Sequence, residues 1–155
     1  FYEASGHSAR TFIFLGEKTG ATPDGRKAGE EMSKNISPVM GADINGVTAL
    51  VKSATAVDSV CFPGDFPLDV MMHPATAQGE EGLSAMRSLI FSYMEKHGIA
   101  IHFNIFDADV LEDAQKHPER YTGLQVRVCG WNVRFNDLCR KEQDAYIERA
   151  RRIAE

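Results

Sequence analysis

The stretch Val126-Arg127-Val128-Cys129-Gly130-Trp131-Asn132-Val133-Arg134-Phe135 reads as two short extended segments that meet at a glycine. Leu124 to Val128 places β-branched residues at alternate positions, and Val133 and Phe135 continue as an extended return. On local pattern alone Gly130 is a turn or bulge glycine, the residue type without a Cβ that a reversing chain selects. Upstream, Ile99 to Phe106 alternates, with Ile99, Ile101, Phe103 and Ile105 on one side and Ala100, His102 and Asn104 on the other. That is strand periodicity. Between the two lies a helix from about Asp109 to His117, ended by Pro118. Downstream, Arg140 to Ala154 reads as a helix with Ala145, Ile147, Ala150 and Ile153 inward. A capping box would put Ser or Thr three residues before Glu142; Cys139 stands there, which leaves Asp137 as the candidate cap.

Further upstream, about Glu80 to His97 is the strongest helical pattern. Leu83, Met86, Leu89, Ile90, Tyr93 and Met94 fall on one face, read as core, and Gly98 acts as the stop. Phe66 to Met72 reads as a strand ending at His73-Pro74, and Val47, Leu50, Val51, Ala54 and Val57 as a short amphipathic helix. Gly16 to Gly29 and Ser37 to Gly46 are irregular, with a turn at Pro23-Asp24-Gly25. Thr11 to Leu15, a short apolar run, reads as a strand. Helix, strand, helix, strand order in the second half predicts an α/β architecture.

Composition narrows the function. At 155 residues, 43% hydrophobic and 25% charged, the chain has the profile of a globular domain. No apolar run has the length of a membrane span. The net charge of −5, with a basic cluster only at Arg149, Arg151 and Arg152, argues against a nucleic-acid surface. Three cysteines, Cys61, Cys129 and Cys139, make an odd number without a pairing pattern, which predicts a reducing, cytoplasmic setting. No histidine–cysteine spacing suits zinc. Gly16-Glu17-Lys18-Thr19-Gly20 has the wrong glycine spacing for a phosphate loop, and Gly6-His7-Ser8 lacks a nucleophile-elbow context. The first residue is Phe1, which suggests the tail of a longer polypeptide.

The decamer around Gly130 resembles the signature of the glycyl radical enzymes of the pyruvate formate-lyase and diol dehydratase type. In that family an Arg, an aliphatic and a small residue precede the radical glycine and an aromatic follows it. Arg127, Val128, Cys129 and Trp131 stand at those positions. Trp131 replaces the commoner Tyr and Cys129 the commoner Ser or Ala, departures that bear on the subfamily. Four other segments are similar to the family in the same order. They are Thr22 to Glu30; Ile36-Ser37-Pro38 with Gly41-Ala42-Asp43; Asp107 to Tyr121; and Leu138 to Ile147.

The resemblance implies that residues 1–97 are the C-terminal part of a ten-stranded α/β barrel. Residues 98–155 would be the glycyl radical domain, with Gly130 on a loop in the barrel centre. It implies no bound cofactor. A partner enzyme with S-adenosylmethionine and an iron–sulfur cluster would install the radical. The radical would pass to a cysteine upstream of this chain, in the same polypeptide or another subunit, and the complete enzyme would be a homodimer acting on a small molecule. Glycine suits the role because a planar Cα radical cannot carry a β-carbon without crowding, and because glycine has two Cα hydrogens, one of which can be removed. His73 and Pro74 stand where the family approaches its substrate pocket, against the plainer reading of a strand-ending loop. His102 reads as a satisfied histidine on a half-buried strand. The wording from Gly98 to Asp109 is nearer the dehydratase and decarboxylase branch. Pyruvate formate-lyase itself and a short replacement radical subunit are the alternatives, with a purely structural domain as the third.

Overall fold

A computed structural model describes residues 11–39, 41–128 and 130–154. Two parallel strands form its centre. Strand β1 (Pro67–Met72) pairs in parallel with β2 (Ala100–Ile105), from Pro67 opposite Ala100 to Met72 opposite Ile105. Parallel strands need a crossover, and helix α3 (Gly79–Glu95) supplies it. All six residues of β1 are buried, as expected of a strand covered on both faces.

Strand alternation sorts the side chains into two layers. Leu68, Val70 and Met72 of β1, with Ile101, Phe103 and Ile105 of β2, face α3 and helix α2 (Gly46–Ala54). Met71 faces the other way, into a core built by helix α4 (Ala108–Lys116), helix α5 (Arg140–Ala154) and an antiparallel hairpin. The hairpin joins β3 (Gln125–Val128) to β4 (Trp131–Arg134), and Val128 lies opposite Trp131. Only residues 129 and 130 are left to turn the chain, and Cys129 lies outside the described residues.

Four expectations are corrected. Thr11 to Leu15 belongs to a helix, α1 (Thr11–Glu17), in which Phe12 and Gly16, four residues apart, are the buried pair. A five-residue apolar run is compatible with either period, and tertiary contact decides. Here the backbone of Glu30 and Glu31 presses so close to Gly16 that a Cβ has no room. Second, the α3 face is only partly core. Tyr93 is buried at 1% exposure, but Leu83, Ile90 and Met94 are exposed, at 61%, 37% and 55%. Third, Asp137 does not start α5. It ends a 3-10 turn, Phe135–Asp137, that follows the extended return of β4, and the Glu142 carboxylate instead accepts from the Cys139 backbone N–H at 3.0 Å. Fourth, the left-handed residue that stops α3 is His97, with φ of 63°, and not Gly98. Gly98 is needed for another reason: a Cβ there would clash with the Tyr93 ring, nearest its Cε1.

Candidate functional site

The face of β2 opposite the isoleucines holds the hairpin. Asn104, 2% exposed, bonds both backbone groups of Arg127 with its side-chain amide. Its Nδ2 donates to the Arg127 carbonyl at 2.9 Å, and its Oδ1 accepts from the Arg127 N–H at 2.7 Å. The same carbonyl accepts a second bond, at 3.0 Å, from the Tyr146 hydroxyl of α5. Burial pushes the Tyr146 pKa up, against the opposing effect of the nearby Lys34 charge, so its hydroxyl stays a donor. The Arg127 guanidinium reaches across the turn to the Asn132 side chain at 2.9 Å. Val128 is buried in the core, while Trp131 is 67% exposed.

Gly130 therefore sits at the tip of a hairpin fastened at its root. Its φ is +89°, a conformation open to glycine and costly for other residues. A Cβ built on it would meet one atom within 4 Å beyond its chain neighbours, the His102 Cε1 at 3.5 Å. The residue is half-buried.

His102 is itself held. It lies beside Asp69 in the strand register, and its Nδ1 is 3.0 Å from the Asp69 Oδ1. The other Asp69 oxygen is 2.8 Å from the Lys34 ammonium, and the Asp69 N–H donates to the Ser37 hydroxyl at 2.8 Å. Asp69 is fully buried and Lys34 is 5% exposed. Buried ions lose hydration worth several kcal/mol apiece and persist only in company. Lys34 and Asp69 form such a pair, and His102, bonded to the same carboxylate, carries it to the hairpin tip. A further buried pair, Arg149 with Asp43 at 2.5 Å, ties α5 to the segment before α2. It borders a 710 Å³ cleft, lined also by Leu50, Met72 and Ile153, to which no hairpin residue contributes.

Arg127, Val128, Gly130 and Trp131 come together in one hairpin, and Cys129 is outside the described residues. His73 and Pro74 do not join them. His73 stands four residues beyond Asp69, roughly 13 Å along the strand at about 3.3 Å per residue. There its Nδ1 accepts from the Ala75 N–H at 3.2 Å and caps the turn Pro74–Ala77. Sequence reading missed Lys34, Asp69 and Asn104. A charged residue inside the apolar run Pro67-Leu68-Asp69-Val70-Met71-Met72 was the available signal, since an aspartate there must find a partner.

Comparison with known proteins shows the family. The family described as Glycine radical matches residues 32–136. The chain is 42% identical over 137 residues to trans-4-hydroxy-L-proline dehydratase of Clostridioides difficile, covering 88% of this chain and 17% of that protein. It is 40% identical over 135 residues to indoleacetate decarboxylase of Tractidigestivibacter scatoligenes, covering 86% and 15%. Among solved structures, the glycerol-bound B12-independent glycerol dehydratase of Clostridium butyricum superposes with a TM-score of 0.82 at 36% identity, over 88% of this chain and 17% of that one. The chain thus spans under a fifth of the length of these relatives.

Proposed function

The chain belongs to the glycyl radical enzyme family, and from that premise we propose that it is the radical-bearing C-terminal part of a lyase of the dehydratase and decarboxylase branch, with Gly130 as the radical site. The observation that carries the reading is the tip glycine. It has a left-handed φ and a hairpin root locked by Asn104, inside the segment matched by the family, and by Tyr146 of α5, which lies beyond it. A radical stored on a backbone carbon needs that carbon to flatten while its neighbours stay fixed. A rigid hairpin with glycine at its tip meets both needs.

In this reading residues 1–97 close the end of an α/β barrel and residues 98–155 form the radical domain. A separate activating enzyme, supplying S-adenosylmethionine and iron–sulfur chemistry, removes one hydrogen atom from the Gly130 Cα. In catalysis that carbon takes a hydrogen atom from a cysteine thiol contributed by the rest of the barrel. The S–H bond breaks, the Cα–H bond forms, and the thiyl is left to act on a small-molecule substrate. Arg127 and Trp131 shape the loop without reacting. The setting is a reducing cytoplasm, in keeping with the exposed free thiols of Cys61 and Cys139. The dehydratase and decarboxylase assignment rests on the named relatives.

Oxygen gives a direct test. The activated, assembled enzyme exposed to air should be cut at Gly130, releasing a fragment that begins there and runs to the C-terminus. Mass spectrometry that finds only intact chain after verified activation and aeration would remove Gly130 from the role.

A further inference from the structure

We propose that His102 covers one face of the Gly130 Cα, so that hydrogen reaches and leaves this carbon only from the opposite face. The inference rests on the radical reading of Gly130 and adds a positioning residue to it.

The geometry is specific. When the Cα of a glycine becomes planar, its half-filled orbital stands above and below the plane of N, Cα and C. One lobe then lies on the side that a side chain would occupy. Beyond the chain neighbours, the atom nearest the ideal Cβ position of Gly130 is the His102 Cε1, at 3.5 Å, where an added Cβ would be in ordinary van der Waals contact with it. The imidazole edge cannot serve as a hydrogen source, because its ring C–H and N–H bonds are far stronger than the Cα–H bond of a delocalised glycyl radical. It acts as a lid on that lobe.

The lid is fixed in place. Asp69 takes one edge of the ring at 3.0 Å, and the Lys34 ammonium, at 2.8 Å, holds the other oxygen of the same buried carboxylate. Two residues along β2, on the same face, Asn104 clamps the Arg127 backbone at 2.7 and 2.9 Å. One strand therefore carries both the lid and the clamp that sets the distance of the hairpin from it. This also accounts for a buried Lys–Asp pair bonded to His102 in a position where apolar packing would serve stability as well or better.

A measurable consequence follows from counting hydrogens. Gly130 in radical form keeps one Cα hydrogen. A thiol that delivers hydrogen to the open face and then removes it from the same face returns the carbon to its starting state, and the resident hydrogen is never lost. Exchange of the resident hydrogen requires delivery on one face and removal on the other. With His102 in place the second route is closed.

The experiment is electron spin resonance of the assembled, activated enzyme in D2O, where the thiol becomes S–D. The resident hydrogen splits the glycyl signal into a doublet. The wild-type protein should keep its doublet, and His102→Ala should collapse toward a single line, with exchange rates differing by about tenfold or more. His102→Gln, whose planar amide can still reach Asp69, should keep the doublet as the wild type does. Collapse in the wild-type protein as fast as in His102→Ala overturns the inference even if the alanine variant folds poorly, as does a doublet that persists in a well-folded, active His102→Ala. Absence of any glycyl signal, or one that survives Gly130→Ala, removes the radical reading itself and the inference with it.

Discussion

At the scale of single residues, the question is why Gly130 must be glycine. Space alone does not demand it, since a Cβ would meet only the His102 ring at a normal distance. Backbone conformation does, because φ is +89°. Gly130→Ala should therefore fold, destabilised by about 1–2 kcal/mol, the cost of placing an L-residue in the left-handed region. Denaturant unfolding of the assembled protein checks this. A loss beyond about 4 kcal/mol would mean that a steric clash is at work. The small expected loss makes Gly130→Ala a usable control, because its loss of function would then be chemical. Asp69 behaves in the opposite way. Its role was not legible in the sequence, since its partners Lys34 and His102 lie 35 residues before and 33 after it and only the folded chain brings them together.

At the scale of elements, legibility depended on how local each determinant is. The bounds of α5 follow from its sequence pattern, and the alternation of β2 correctly sorts Ile101, Phe103 and Ile105 from His102 and Asn104. Helix α1 was misread because its short apolar run lacks a decisive period, and the helical contact that settles the matter, Gly16 against Glu30 and Glu31, is tertiary. The end of α3 shows a subtler miss. Gly98 looks like the stop, but the Gly98 N–H bonds back to the Tyr93 carbonyl at 2.9 Å and its missing side chain leaves room for the Tyr93 ring. The left-handed turn falls on His97 instead. Gly98→Ala should destabilise by about 1–3 kcal/mol through overpacking. His97→Gly should gain up to about 1 kcal/mol by relieving the left-handed strain. Thermal melts of the two variants should move in opposite directions, and a shift of both the same way would contradict this account of the helix end.

For the whole molecule, the described residues make two cores back to back on one two-stranded sheet. The α3 face misread as core is instructive here. Its apolar periodicity is genuine, yet Leu83, Ile90 and Met94 are exposed. A sequence pattern reports that a face is apolar and not what covers it. The same limit applies to the candidate site. Family motifs pointed to Gly130, while the elements that fix it, Asn104, Tyr146 and the buried Lys34–Asp69 pair with His102, emerge only from the packed chain.

The central claim is that the Gly130 Cα is built to hold an unpaired electron. Anaerobic activation of the assembled enzyme by its activating partner, followed by electron spin resonance of protein labelled with carbon-13 at glycine Cα, tests it most directly. The account predicts a glycyl doublet further split by the labelled carbon in the wild-type protein and no such signal in Gly130→Ala. A silent wild-type spectrum from an assembled, fully activated enzyme, or an unchanged signal in the alanine variant, would contradict it.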